Sequence, residues 1–227
     1  MPFPDFTPTV PELLHRSAAR FGDHTYVVAD HERLSYADAD ARSAAVARGL
    51  LAEGIGKGSR VGVLMPNSVD DVVAVLAVLR IGAVLVPMNT FLQTRELGWT
   101  IRHADLSMLI TCPRFLNNDY LERLEEALPG LADPAVTWLV LPDAPYLRTI
   151  HVWGGSNRAW DSGSEPDVIA EAARLHVTDA FLARVEECVV PADPAMIVYS
   201  SGSTADPKGV LLTQGTVVRH SFNVLIV

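Results

Sequence analysis

Two kinds of hydrophobic stretch alternate along this chain. Short runs with almost no polar interruption occupy residues 60–65, 82–87, 107–111, 136–141 and 196–199, rich in Val, Leu and Ile. Runs of that length, apolar on both faces, predict strands buried in a parallel sheet. Between them apolar residues recur three and four positions apart, the spacing of a helix with one buried face. Thr9-Val10-Pro11-Glu12 reads as a capping box opening a helix through Phe21, with Leu13, Leu14, Ala18 and Phe21 on its inner side. Ser35-Tyr36-Ala37-Asp38 caps a second helix that runs to Glu53, where Gly54 stops it. Further helices are predicted over 70–80, 94–103, 119–128, 167–176 and 179–184. Residues 25–29 read as a strand, with 30–33 as the turn of a hairpin returning through Leu34.

Alternation of this kind predicts an α/β fold, a doubly wound, largely parallel sheet flanked by helices. Residues 142–166 carry Pro, Gly, Ser and Asn without a period and read as an irregular surface excursion pinned by Trp153 and Trp160. The apolar stretch 72–88 has nearly the length of a membrane span. Arg80 and Gly82 interrupt it, however, and a helix followed by a buried strand accounts for it better.

Composition narrows the picture. Of 227 residues, 49% are apolar and 20% charged, a globular rather than a disordered balance. A formal net charge of −9 argues against nucleic acid as a partner. Cys112 and Cys188 lack metal-ligand spacing and read as buried free thiols of a reducing compartment. The seven histidines show no paired spacing, so no metal is assigned to them. Met1-Pro2-Phe3-Pro4-Asp5 lacks the basic and apolar segments of a signal peptide, and a cytoplasmic location is expected.

The candidate chemistry lies late in the chain, directly after the strand 196–199. Ser200, Ser201, Gly202, Ser203 and Thr204 offer hydroxyls and backbone N–H groups with little bulk. Pro207 stiffens the chain just before Lys208, which adds a mobile positive charge ahead of Gly209. After a buried strand, such a loop is suited to cradle phosphates. It equally fits a polar turn between two strands with Lys208 solvated, and both readings stand on composition alone. The spacing is not that of a Walker A loop, because Pro207 replaces the second glycine and Gly209 the Ser/Thr.

The run Tyr199-Ser-Ser-Gly-Ser-Thr-Ala-Asp-Pro-Lys-Gly-Val210, followed by Leu212-Thr213, resembles the phosphate-loop signature of the adenylate-forming superfamily, above all its acyl-CoA synthetases. Two departures stand out: Ala205 where that family has glycine, and Gln214 where a histidine commonly follows Leu-Thr. The resemblance extends forward. Thr9 to Leu14, the segment Leu34-Ser35-Tyr36-Ala37-Asp38, the stretch from Val61 to Ser68 and that from Gly82 to Asn89 are similar to family segments in the same order.

The resemblance implies activation of a carboxylic acid, in the first place a fatty acid, by ATP through an acyl-adenylate to acyl-CoA. ATP, magnesium and coenzyme A would then be required. Ser200, Ser201, Gly202, Ser203, Thr204, Lys208 and Gly209 would hold the phosphates of ATP. It also implies that residues 1–227 form a single incomplete N-terminal AMP-binding (adenylation) domain. The adenine, ribose and magnesium segments and the C-terminal domain with its catalytic lysine have no counterpart here. The apolar end at residues 223–227 reads as the middle of a helix. A second chain supplying the rest, or a homo-oligomer, is the expected partner. The other class of function left open is a non-catalytic binding or interaction module of the same fold.

Overall fold

The computed structural model describes residues 4–29, 32–133, 139–200 and 207–224. The first helix, α1 (Val10–Phe21), starts where predicted, with Pro11 in its opening turn. Its cap differs. The Thr9 side chain makes no capping bond, and Glu12 Oε1 accepts from Arg16 Nε at 2.7 Å instead. The buried Val10 N–H donates to Oε1 of Gln214 at 3.0 Å. A side chain from the far end of the chain thus satisfies an open donor of the first turn.

β1 (Thr25–Ala29) and β2 (Glu32–Ser35) form an antiparallel hairpin, with Glu32 and Arg33 already in the strand rather than the turn. Residues 30–31 of that predicted turn lie outside the described residues. Ser35 Oγ accepts the Asp38 N–H at 3.0 Å and caps α2 (Tyr36–Ala52), as its sequence predicts. The chain then alternates through β3 (Arg60–Leu64), α3 (Val69–Arg80), β4 (Val84–Pro87), α4 (Thr94–His103) and β5 (Met108–Thr111). A small hairpin, β6 (Arg114–Phe115) with β7 (Asn118–Asp119), leads into α5 (Tyr120–Ala127), whose first N–H groups are accepted by Asp119. β8 (Thr149–Val152), α6 (Glu165–Arg174), α7 (Asp179–Glu187), β9 (Pro194–Ser200), β10 (Lys208–Thr213) and α8 (Gln214–Val224) complete it.

Six strands form the central sheet in the order β10-β9-β4-β3-β5-β8, all parallel except β10, which runs antiparallel to β9. Successive residues divide between two cores, as a pleated strand requires. Val61, Val63, Leu85, Met108 and Ile110 meet α1, α2, α3, α6, α7 and α8 on one side. Leu64, Val86, Leu109, Ile150 and Val152 meet α4 and α5 on the other. This is the doubly wound sheet that the alternating pattern predicts.

One strand lies elsewhere than the pattern predicts. Residues 136–138 lie outside the described residues, residues 139–140 are not strand, and Leu141 makes only an isolated bridge to Ala144. The edge strand is β8, inside the stretch that reads as irregular. His151 hides it, because a polar residue interrupts an already short apolar run. In the sheet Ile150 and Val152 face one core while His151 points to the opposite side, 1% exposed. Both its ring nitrogens find acceptors there, Glu53 Oε2 at 2.8 Å and the Gly163 carbonyl at 3.1 Å. Trp153 and Trp160 are buried, and Trp160 Nε1 donates to Glu125 Oε1 at 3.1 Å, so both do pin this segment. The thiols correct another expectation: Cys112 is half-buried and Cys188 exposed. Among the described residues no helix is long and apolar enough to cross a membrane.

An ionic cluster ties four helices on the larger face. Arg80, 2% exposed at the end of α3, donates from Nη1 to Ser43 Oγ and to the Asp40 carbonyl, each at 2.8 Å. Its Nη2 pairs with Asp40 Oδ1 at 3.0 Å and its Nε with Glu186 of α7. His15 of α1 closes the cluster, 2.9 Å from Glu186 Oε2 and 3.4 Å from Asp40 Oδ2. Hydrogen bonds to Asp40 and Glu186 outweigh partial burial and raise the His15 pKa from 6.5 to about 9. Because the folded value is the higher, this stabilisation is full below about pH 6.5 and is lost as pH rises through about 9. The imidazole is nearly half exposed, so screening reduces the effect to about 1 kcal/mol. In urea unfolding, wild type should lose about that much more than His15→Gln between pH 6.5 and 9.5. Parallel pH profiles for the two proteins would remove His15 from the account.

Candidate phosphate-binding hairpin

Because β3, β4, β5, β8 and β9 are parallel, their carboxyl ends all lie along one edge of the sheet. β9 ends there at Ser200, and β10 leaves the same edge from Lys208. The register sets Ser200 directly opposite Lys208 and Tyr199 opposite Gly209. Ser200 and Lys208 are exposed, so a hydroxyl and an ammonium group flank the two stems of one loop. Ser201, Gly202, Ser203 and Thr204, together with Ala205 and Asp206, lie outside the described residues. The β9 strand itself, interior to the sheet and ending in the Ser/Gly-rich run, is where the apolar pattern puts it.

Gly209 has a packing reason to be glycine. A Cβ there would come within 2.8 Å of Ile197 Cγ2 and 3.2 Å of Tyr199 Cε1 and Cζ. The Tyr199 ring therefore lies across Gly209, bridging the two strands one residue before the loop. The tyrosine hydroxyl sits 2.8 Å from His103 Nδ1. His103 stacks on Trp99, ring centroids 4.3 Å apart and 15° from parallel. Tyr199 meets both rings edge-on at 5.7 Å. Partial burial raises the Tyr199 pKa above its ordinary value, against an opposing pull from Arg60. Sequence alone does not single out Trp99 and His103, although their spacing of four on a predicted helix puts them on one face.

Asp71, in the first turn of α3 just past the end of β3, has its pKa pushed up to about 6 by burial. Among the described residues no group of three or more His, Cys, Asp or Glu could hold a metal ion.

The fold is an open α/β sheet, the class that takes ligands in the crevice beyond the carboxyl ends of its strands. Residues 14–226 match the model of the AMP-binding enzyme family, and the chain belongs to that family. It is 31% identical over 215 residues to the acyl-CoA ligase SID4 of Ajellomyces capsulatus, covering 94% of this chain and 34% of that protein. The mitochondrial medium-chain acyl-CoA ligase ACSF2 of Mus musculus is 30% identical over 226 residues, with 94% and 34% covered. A solved long-chain-fatty-acid-CoA ligase, FadD1 of Archaeoglobus fulgidus, superposes with a TM-score of 0.70 at 22% identity, over 100% of this chain and 41% of that one. The chain spans about 34 to 39% of the length of the first curated relatives it matches.

Proposed function

We propose that this chain supplies the phosphate-binding portion of an acyl-activating ligase. The observation that carries this reading is the β9–β10 hairpin, with Ser200 facing Lys208 at the carboxyl edge of a sheet of the AMP-binding family. In the proposed reaction a carboxylate oxygen attacks the α-phosphorus of ATP, and pyrophosphate leaves as the acyl-adenylate forms. The sulfur of coenzyme A then attacks the acyl carbon, and AMP departs with the electron pair of the broken bond. Lys208 and Ser200, with Ser201, Gly202, Ser203, Thr204 and the backbone at Gly209, would hold the β- and γ-phosphates and the departing pyrophosphate. Fixed donors aimed at developing negative charge are the usual means of catalysis in such transfers. A fatty acid as the carboxylate is the substrate class that the names of the relatives support.

The described residues offer no carboxylate cluster for magnesium, so a cation would reach this edge on the nucleotide itself. The adenine and thiol sites are proposed to reside in further polypeptide, continuous with this sequence or in a separate chain, which also makes residues 1–227 one part of a larger adenylation domain.

By itself the candidate loop should bind MgATP only weakly, near the millimolar level that about 4 kcal/mol supports. Calorimetric titration of this chain should show such binding, weakened about tenfold in Lys208→Ala through loss of one charge-assisted contact. Equal affinity in wild type and Lys208→Ala would overturn the assignment of the loop.

A further inference from the structure

The register ladder between the loop-bearing hairpin and the rest of the sheet is short. A single residue pair, Leu85 opposite Met196, joins β9 to β4, whereas β3 pairs with each of its neighbours through four. From Ile197 to Ser200, β9 keeps its partner β10 but has no register partner in β4. β10 is the edge strand, with Val210 and Leu211 exposed on opposite faces. Beyond Met196, side-chain packing rather than the ladder holds the loop-bearing end to the body of the protein, with Ile197 and Tyr199 against the smaller core.

We infer that Tyr199, His103 and Trp99 form the tether that positions the loop stems. Tyr199 is the last residue of β9 before Ser200. Its ring covers Gly209 of the facing strand, and its hydroxyl reaches His103 on α4. Trp99, one turn earlier on the same helix, backs His103 face to face and meets the Tyr199 ring edge-on. One side chain thus touches both stems and a helix anchored in the core through Leu97 and Ile101. Neither Trp99 nor His103 adjoins the loop in sequence, so they act on it through Tyr199 as positioning residues. A bond of this kind is worth about a fivefold change in an equilibrium. A side chain at 209 would press first on Ile197 and then on the Tyr199 ring, so the glycine leaves room for the tether.

This inference rests on the proposed phosphate site for its functional consequence, but not for its structural content, and the experiment separates the two. Amide hydrogen exchange is followed for Val198 to Ser200 and Lys208 to Val210 in wild type, Tyr199→Phe, His103→Ala and His103→Asn. Asparagine retains an acceptor close to the place of Nδ1. Exchange in these segments should accelerate severalfold in Tyr199→Phe and His103→Ala, return toward wild type in His103→Asn, and stay unchanged across β3 and β5. The same four proteins are titrated with MgATP. Affinity should fall about fivefold in the first two variants and recover in His103→Asn.

Unchanged exchange in Tyr199→Phe and His103→Ala overturns the tether, whatever the titrations give. Faster exchange with undiminished MgATP affinity, in a protein whose Lys208→Ala variant does lose affinity, overturns its role in positioning the loop. If wild type binds no MgATP, the phosphate reading fails, and the exchange data alone decide whether the tether holds the hairpin.

Discussion

Replacing Arg80 by alanine should cost about 3–5 kcal/mol, the loss typical of removing one member of a buried ion cluster. The guanidinium is 2% exposed and serves Ser43, the Asp40 carbonyl, the Asp40 carboxylate and Glu186. Without it two carboxylates from α2 and α7 face each other with only the half-exposed His15 between them. Against burial, His15 and Arg80 together hold both carboxyls below their ordinary pKa values, so removing Arg80 takes away one of the two groups that compensate their charge. Arg80→Lys should recover little, because an ammonium cannot reproduce a fork that spans two helices. Urea unfolding measures the loss, and Arg80→Ala combined with Glu186→Gln should be less destabilised than the sum of the single changes. Against a total stability of about 5–15 kcal/mol the single change is severe. A loss below about 1 kcal/mol would show that the cluster is solvated rather than buried.

Gly49→Ala should also destabilise, although alanine ordinarily favours a helix over glycine by up to about 1 kcal/mol. Gly49 lies in α2 where α6 crosses it, and an added Cβ would meet the carbonyl oxygen and Cγ1 of Val168. Part of that contact is backbone, which cannot rotate away as a side-chain tip can. Overpacking of this sort costs about 1–3 kcal/mol, and a net loss near 2 kcal/mol is expected. For a domain of this size that is roughly a 4–8 °C fall in melting temperature. A rise in melting temperature would mean that α6 is free to move outward.

The sequence carries most of the fold because its local signals agree with one another. Ser35 caps, Gly54 stops, and the apolar runs at 60–65, 82–87 and 107–111 lie where β3, β4 and β5 form. Signals fail where a tertiary partner replaces a local one. β8 escapes the pattern because His151 is satisfied by Glu53, distant in sequence, which a periodicity argument does not see. β10 appears in the sequence only as the second strand of the polar-turn reading, and its start is blurred because Gly209 also reads as part of the loop, although the Tyr199 ring lies beside that glycine across the hairpin. The candidate loop is legible as composition. Its support is less so, since Trp99 and His103 gain a role only once α4 packs beside the end of β9.

Gln214 shows how such distant satisfaction bears on assembly of the chain. Buried completely, it accepts from Val10 N–H and donates to the Leu79 carbonyl, each at 3.0 Å, and so joins the first turn of α1 to the last turn of α3. On a ribosome the first helix emerges some two hundred residues ahead of the amide that accepts its Val10 N–H. The bond closes a loop of about two hundred residues, and the entropy of closing so long a loop must be met by what is packed between its ends. Gln214 therefore clasps two ends of a long loop at the junction where β10 finishes the hairpin and α8 begins, so its two bonds depend on the packing of everything between them.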